Sequence, residues 1–264
     1  MMFRTFMTAL LICATTQAYA ALPPAAKKEE PVEISASRSL EWNRRAKTYT
    51  ARQNAVAKQG NFQLSSDTIT ARYNDNQGAT HIFQMEALNN VIIVSPPYTA
   101  YGDKAVYDVA EDRAVLTGQD LRIVTETEKL TAKDKVEFFS KENRMVASGG
   151  ATAERGTDTL KAEKMEAFFQ KNPEGTLKVD RITADGGVTI KTEKETVTGD
   201  HGDYNIGTKK AVLTGKVKIY QGASWLEGTR AEIDLKTGIS QLFAEGNAET
   251  EGRVKGVFYP KAAQ

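Results

Sequence analysis

A repeat fills most of this 264-residue chain and constrains its fold more than any other sequence feature. The phrase AVLTG occurs at residues 114–118 and again 97 residues later at 211–215, each time after a Gly-Asp pair and a tyrosine. At the same offset, ALNNVII at 87–93 matches ADGGVTI at 184–190. Beyond the phrase the offset falls to 96, a slip that a loop insertion would produce. The sequence therefore predicts two copies of one structural unit of about 97 residues.

The finer pattern inside each copy is typical of β-strands. Apolar and polar residues alternate with a period of two, which places every second side chain on the same face of a strand. Glycine and asparagine residues favour turns. They open the alternating stretches near residues 90, 118, 149, 187 and 215, at intervals of roughly thirty residues.

One segment competes with an all-β interpretation. KAEKMEAFFQK at 161–171 has the best helical pattern, but the repeat aligns MEAFF at 165–169 with ITARY at 69–73 and so predicts a strand. We therefore predict an all-β chain of short, stacked antiparallel strands. Because no helix covers the inward face of each strand, the sheet must fold over itself as a sandwich, a jelly roll or a solenoid.

The N terminus predicts a cleaved secretory signal peptide at residues 1–20. Arg4 supplies the early positive charge, an apolar run covers 6–14, and Ala18-Tyr19-Ala20 forms the cleavage site. The alternatives are an uncleaved anchor and a lipoprotein modified at Cys13. We expect a flexible tether at 21–31 and an unstructured tail at 260–264.

The composition argues against several classes of function. Once Arg4 and Cys13 leave with the signal, the mature chain has 34 basic and 34 acidic residues and no cysteine. Zero formal charge gives no strong field to attract nucleic acid. With no cysteine and two histidines far apart in the sequence, a zinc site is not expected. No nucleotide-binding or nucleophile fingerprint occurs, so we expect no enzyme activity, no metal and no cofactor.

A few charged residues have specific expectations. Asp103 and Asp200 follow glycine at matching positions, where acids usually bind backbone N–H groups in turns; a catalytic pair would have to face across a cleft. His201 is expected to be a solvated turn residue. Arg44-Arg45 and Lys209-Lys210 are expected at exposed hairpin tips, where they could contact a phosphorylated headgroup.

The aromatic residues leave two interpretations of the interior. Tyr107 and Tyr204 match across the copies and share strand faces with Val109 and Ile206. Ordinary packing would make these residues part of a filled core. A partly unfilled apolar face would instead accept a lipid, and the alternation pattern is the same in both cases.

The motifs occur in a recognisable order. The signal peptide precedes PVEISASRSLEWNRRAKTYTARQNAVAKQGNFQLSSDTITARY, and the motifs G-D…A-x-Y, A-V-L-T-G-x-V-x-I and L-x-G-x-x-A-x-I-D follow. This order resembles the LptA/OstA family of periplasmic lipopolysaccharide transport proteins. The resemblance covers about residues 31–250, and AVLTGKVKIYQGASWLEGTRAEIDLKTG carries most of its specificity.

The resemblance implies a fold and a function that the alternation pattern does not supply. The family fold is an OstA-type open β-jelly roll whose apolar interior holds the acyl chains of lipid A. Its members lie in the periplasm and join end to end as homo-oligomers. They bridge an inner-membrane LptC-type anchor and an outer-membrane LptD-type assembly protein, while other subunits consume the ATP.

The resemblance also assigns a lipid-binding groove and a partner edge strand to matching positions. The groove positions from the family's first strand, its A-x-Y strand and the second copy of that strand are Val32, Ile34, Tyr107, Val109, Tyr204 and Ile206. The period-two alternation adds Val91, Ile93, Val188 and Ile190. The edge strand is expected near the C terminus, at Val254, Val257 and Phe258.

The chain departs from short family members in carrying two copies of the large unit. We expect a first unit at 32–148 and a second at 149–259, continuous with the first, which would lengthen the groove. The alternative is a structural β-scaffold of the cell envelope, LptC-like or accessory to outer-membrane assembly, with a filled core and no lipid. A third interpretation, a carbohydrate-active β-helix enzyme, has no acid cluster to support it.

Overall fold

The computed structural model describes residues 32–76, 79–171, 177–234, 236–237, 239–244 and 253–259. The strands pair antiparallel, and the described residues contain no helix beyond a single 3-10 turn at Ser140–Glu142. This confirms the prediction of an all-β chain. The predicted signal peptide, tether and tail lie outside the described residues.

The described residues divide into two compact units. The N-terminal unit comprises residues 32–149, 168–171 and 177–178, and the C-terminal unit comprises 150–167 and the described residues from 179 onward. Strands that lie wholly in the N-terminal unit are β1 (Glu33–Ser35), β2 (Ser39–Asn43), β3 (Thr48–Gln59), β4 (Phe62–Asn76), β5 (Ala79–Ser95), β6 (Tyr98–Asp108), β7 (Arg113–Thr117), β8 (Arg122–Val124), β9 (Glu128–Thr131) and β10 (Lys135–Phe139).

The remaining strands complete the C-terminal unit. Three of them contribute residues to both units, namely β11 (Arg144–Arg155), β12 (Asp158–Lys171) and β13 (Leu177–Lys191). The others are β14 (Thr196–Asn205), β15 (Lys210–Gln221), β16 (Ser224–Asp234), β17 (Ile239–Phe243) and β18 (Lys255–Val257). Strand β12 contains the segment 161–171, so the repeat predicted its conformation correctly against the local helical pattern.

Strand length differs from the expectation of short strands. β4 and β13 have 15 residues each and β5 has 17, because several predicted turns are β-bulges within strands. Asn89 and Asn90 have φ values of 60° and 52° inside β5, where the pairing with β6 shifts register between Leu88 and Val91. Gly186 and Gly187 in β13 also have positive φ values, and the pairing of β13 with β14 shifts register there. A bulge bends its strand and increases its twist, so these residues form a corner and not a chain reversal.

The rhythm of roughly thirty residues is therefore the spacing of these corners along the chain and not the spacing of chain reversals. In β15 the bulge lies at Gly215 and Lys216, with φ values of 76° and 46°. The matching place in the first copy holds one residue more, since Gly118 matches Gly215 but Leu121 matches Val217. There the strand is interrupted and becomes β7 and β8. The change of offset from 97 to 96 thus falls at a corner and not in a hairpin loop.

Acidic side chains pack against these corners from the preceding strand. Asp103 in β6 accepts a hydrogen bond at Oδ2 from the Gln119 N–H, at 2.8 Å. Asp200 in β14 lies against Gly215 so closely that a Cβ on that glycine would be 2.7 Å from the Asp200 Cβ. The prediction that Asp103 binds a backbone N–H is confirmed. The expectation that Asp103, Asp200 and His201 lie in turns is wrong, because all three lie inside strands.

In each unit, one long strand pairs along one of its sides with two short strands, which follow one another along its length. On the side away from β4, β3 pairs with β1 at Val56–Lys58 and with β2 at Thr48–Arg52. The bulge in β3, at Gln53 and Asn54, lies between the two pairings. In the C-terminal unit, β16 pairs with both β17 and β18 on the side away from β15.

The core of each unit consists of residues that alternate along the long strands. In β15 the buried residues are Ala211, Leu213, Val217 and Ile219, on either side of the bulge. Ile69, Val91 and Leu121 are fully buried in the N-terminal unit. The AVLTG phrase is thus a core strand followed by its corner.

A buried ion pair holds β7 to β10. Glu137 in β10 is buried and accepts hydrogen bonds from Arg113 Nη2 in β7 and from Lys135 Nζ, the latter at 2.7 Å. Burial of the Glu137 carboxyl raises its pKa, but the two hydrogen bonds and the two positive charges outweigh burial. The net effect is a pKa below its usual value.

We expect Glu137→Gln to lower the free energy of unfolding by about 1–2 kcal/mol at pH 7. A carboxyl whose pKa is lowered on folding stabilises the fold above its unfolded pKa of about 4.3, and this contribution is lost as pH falls through the folded pKa. The difference between parent and variant, measured by urea unfolding, should therefore shrink from pH 7 to pH 3. Glu227, which pairs with Lys218 at 3.2 Å and whose side chain is more exposed than that of Glu137, supplies the control Glu227→Gln, with a smaller effect at pH 7. A difference that grows toward pH 3 would contradict the assignment.

Candidate functional site

An apolar pocket of about 190 Å³ lies between β1, β2, β3 and β4 of the N-terminal unit. We call it the entrance pocket. It is smaller than the roughly 300–1,000 Å³ of sites that enclose whole drug-sized ligands, so it suits one part of a long apolar chain. Its lining residues are Ile34, Leu40, Glu41, Trp42, Tyr49, Thr50, Ala51, Ile69 and Ala71.

The pairing of the two short strands with β3 forms this pocket. Ile34 lies opposite Ala57, and β2 follows the other half of β3, with Leu40 opposite Ala51. Leu40 and Trp42 lie two residues apart on β2, yet 62% and 53% of their surfaces remain exposed. Large apolar side chains that stay exposed beside a concave apolar site make this part of the surface a candidate binding site.

Trp42 has a defined orientation despite its exposure. Its Nε1–H donates to the Tyr73 hydroxyl at 2.7 Å, and its ring stacks on Tyr49 with centroids 5.7 Å apart. Tyr49 in turn packs against Tyr73 at 4.8 Å. Trp42 and Tyr49 thus form an aromatic wall of the pocket, and the buried Tyr73 holds both in place. An apolar ligand would meet a surface that needs little ordering on binding.

Charged groups lie at the edge of the entrance pocket. The Arg44 guanidinium carbon is 4.3 Å from the Trp42 ring centroid, in cation–π contact. Glu41 lines the pocket and pairs with Arg52 at 3.8 Å. The pocket is therefore apolar inside and charged at its edge.

A second, much smaller cavity of about 40 Å³ lies in the C-terminal unit. Three predicted groove residues line it: Val188, Ile190 and Tyr204. They are only 1%, 7% and 9% exposed, so protein atoms already cover them. A cavity of this size has room for a few water molecules and is too small for an acyl chain.

The other predicted groove residues are distributed along the strands. Val91 is buried opposite Gly102, and Ile93 is half-buried between Leu64 and Ala100. Val32 and Val109 are largely exposed just outside β1 and β6, and Ile206 is half-buried just after β14. Of the predicted groove residues, the entrance pocket contains Ile34, and the cavity in the C-terminal unit contains three others.

Tyr107 makes a specific polar contact. It is half-buried in β6, and its hydroxyl donates to Asp112 Oδ1 at 2.6 Å. Burial raises the pKa of the phenol, and the hydrogen bond to Asp112 raises it further. The residue is therefore neutral at physiological pH, and its ring is held by the turn that follows the strand.

The predicted partner edge lies at β18. This strand pairs through Lys255–Val257 with Trp225–Glu227 of β16, and Val254 and Phe258 flank it with large exposed surfaces. Sequence reasoning missed Leu40, Trp42 and Tyr49. The signal available was the alternation of Leu40 and Trp42 in SLEWN, which is a strand of five residues.

The part of the chain that the structure describes contains neither a cluster of metal-binding side chains nor a helix that could span a membrane. No three His, Cys, Asp or Glu side chains in it come close enough together to hold a metal ion. None of its helical segments has the length and hydropathy needed to span a bilayer.

Comparisons with known proteins match both copies. The family described as "LptA/(LptD N-terminal domain) LPS transport protein" matches residues 33–134 and again 129–239. An uncharacterized protein of Rhizobium meliloti (strain 1021) is 29% identical over 118 residues, which are 43% of this chain and 63% of that protein. The chain thus spans less than two thirds of this relative's length.

Among solved structures, one similar chain is LptH of Pseudomonas aeruginosa, the LptA-homologous periplasmic component of a lipopolysaccharide transport device. It is 17% identical, with a TM-score of 0.42, and the match covers 50% of this chain and 95% of LptH. The two family matches together span most of the chain and coincide with its two repeats. The chain therefore belongs to the family of LptA and LptD N-terminal-domain lipopolysaccharide transport proteins.

Proposed function

We propose that this chain binds lipopolysaccharide in the periplasm and shields acyl chains of lipid A from water during transport between the membranes. The entrance pocket carries this proposal, because an apolar site with exposed Leu40 and Trp42 at its edge needs an apolar ligand to cover it. Each buried methylene contributes roughly 0.8 kcal/mol. A few methylenes in this pocket would therefore stabilise the complex without any enzyme chemistry.

The proposal includes protein partners. β-Augmentation, in which a strand of one protein extends the sheet of another, gives affinity through main-chain hydrogen bonds. The exposed Val254 and Phe258 beside β18 support such a junction with a second copy or with an LptD-type assembly protein. The proposed inner-membrane partner is an LptC-type anchor. The resulting bridge would be an end-to-end homo-oligomer.

A second candidate function rests on the C-terminal unit. Its predicted groove residues are covered by protein, and its cavity is small. A filled interior favours a scaffold that binds protein partners and holds no lipid. The two functions are compatible in one chain if the N-terminal unit binds lipid and the C-terminal unit supports assembly.

Site-specific photocrosslinking in Gram-negative cells tests both candidates. A photoreactive residue at Ile34 points into the entrance pocket, whereas one at Ser35 is exposed on the opposite face of the same strand and is the matched control. We expect lipopolysaccharide adducts at Ile34 and none at Ser35. Further probes at Tyr107 and Ile190, with exposed Lys210 as their control, report on the remaining predicted groove.

The outcomes separate the two functions. Adducts at Ile34 but not at Ile190 would assign lipid binding to the N-terminal unit and scaffolding to the C-terminal unit. Adducts at both positions would assign lipid transport to the whole chain. Adducts at none of the inward positions, in folded protein, would contradict lipid binding and leave the scaffold as the function.

A further inference from the structure

A basic turn borders the entrance pocket. Residues 44–47 connect β2 to β3, and Asn43 Oδ1 accepts the Ala46 N–H at 2.9 Å, which fixes the start of the turn. Arg44 and Arg45 are both exposed there. The Arg44 guanidinium lies on the Trp42 ring, and the same ring lines the pocket. At least one arginine is thus held at the edge of the apolar site.

Carboxylates pair with the basic side chains near this turn, but not with Arg44 or Arg45. Lys47 Nζ lies 3.6 Å from Asp75 Oδ2, and Arg52 Nη2 lies 3.8 Å from Glu41 Oε2. Within the described residues, Arg44 and Arg45 form no salt bridge. The carboxylate nearest the pocket, Glu41, is already paired, so the edge of the pocket keeps an excess of positive charge.

We propose that the entrance pocket and the Arg44-Arg45 pair bind one amphiphile, with its apolar chain in the pocket and its phosphate headgroup on the two arginines. Guanidinium groups present planar sets of donors that match phosphate oxygens, and charge-assisted hydrogen bonds are stronger than neutral ones. This inference rests on the proposed function, since it takes the pocket as a lipid site and adds the headgroup chemistry.

Charge complementarity at this site is local. The whole chain has a formal charge of +1, so it exerts little general attraction on anions. A preference for an anionic amphiphile would therefore come from residues beside the pocket. Lys209 and Lys210 provide the comparison, because they form a basic pair of equal charge at the start of β15, where Lys210 lies opposite Asp234 of β16.

Tryptophan fluorescence provides the measurement. The chain has two tryptophans, so Trp225→Phe leaves Trp42 at the pocket as the single reporter. The mature Trp225→Phe protein is titrated with dodecyl phosphate, with uncharged dodecyl maltoside of the same chain length, and with inorganic phosphate, each amphiphile below its micelle concentration. Because Arg44 lies on the indole ring, half-saturation concentrations are compared and absolute spectra are not.

We expect dodecyl phosphate to bind about tenfold more tightly than dodecyl maltoside, a difference equivalent to about 1.4 kcal/mol. Arg44→Gln/Arg45→Gln should reduce this preference to about twofold or less. Lys209→Gln/Lys210→Gln, the matched control, should leave it unchanged. Inorganic phosphate should neither shift the Trp42 emission nor displace dodecyl phosphate at comparable concentrations.

Three results would overturn the headgroup assignment while keeping the pocket as a lipid site. These are equal binding of the two amphiphiles, an unchanged preference in the arginine double variant, and an equal loss in the lysine double variant. Displacement of dodecyl phosphate by comparable inorganic phosphate would identify a phosphate site that is not a lipid site, and would also overturn it. If neither amphiphile shifts the Trp42 emission, the proposed lipid function of this pocket is itself contradicted.

Discussion

Replacing Leu213 with alanine is expected to lower the free energy of unfolding of the C-terminal unit by about 2–5 kcal/mol. Leu213 is the leucine of the second AVLTG phrase and is only 1% exposed. It lies in β15 between Gly202 of β14 and Ala231 of β16, so both neighbours are too small to fill the space left behind. The cost is therefore the lost burial together with an unfilled cavity.

Urea unfolding followed by Trp225 fluorescence measures this effect. Trp225 lies opposite Tyr220 of β15, and Trp42→Phe makes it the single tryptophan. Val212→Ala is the matched control, because Val212 is the preceding residue on the opposite face and is only half-buried. We expect this control to cost less than about 1 kcal/mol. Equal costs for the two variants would show that Leu213 is not a core residue of this unit.

Replacing Gly215 with alanine is expected to cost about 2–5 kcal/mol, a sum of two effects. The φ of +76° is unfavourable for a residue with a Cβ. The added Cβ would also lie 2.7 Å from the Asp200 Cβ, a distance that real Cβ contacts do not reach. The corner would have to move, and β14 and β15 with it.

Gly222→Ala separates the two effects. Gly222 has a φ of +58°, but nothing lies within 4 Å of its Cβ position, so the substitution meets only the backbone cost of about 1 kcal/mol. In the Gly215→Ala background, Asp200→Ala should restore only a part of the lost stability, because it removes the Asp200 carboxyl group that also opposes the added Cβ but keeps the Cβ of residue 200. If Gly215→Ala and Gly222→Ala cost the same in urea unfolding, the close packing at the corner contributes nothing.

The sequence predicts the strands well because their signals are local and repeated. Alternation and the offset between copies identified β12 as a strand even though residues 161–171 have a helical pattern. The same reasoning misassigned Asn89-Asn90 and Gly186-Gly187 to turns. Turns and bulges both use residues that tolerate positive φ, so local chemistry does not distinguish them. The difference lies in whether the flanking residues keep the same neighbouring strands, which is a non-local property.

The candidate site was predicted only in part, for similar physical reasons. Ile34 came from the family resemblance, and it lies in the entrance pocket. Trp42 and Leu40 were missed because β2 is a strand of five residues with polar neighbours, and alternation does not indicate which apolar face stays exposed. The alternation pattern also does not distinguish the buried Ile190 from the half-buried Ile93, because the burial of a side chain depends on side chains from other strands.

The corner between β7 and β8 shows where this architecture tolerates a change in length. Compared with its counterpart at Gly215-Lys216, it contains one additional residue, yet Leu121 and Ile123 beyond it are as buried as Val217 and Ile219. An insertion inside a strand would instead turn every following side chain to the opposite face. Gene duplication followed by small insertions and deletions could therefore diversify such chains at their corners while the buried faces stay intact.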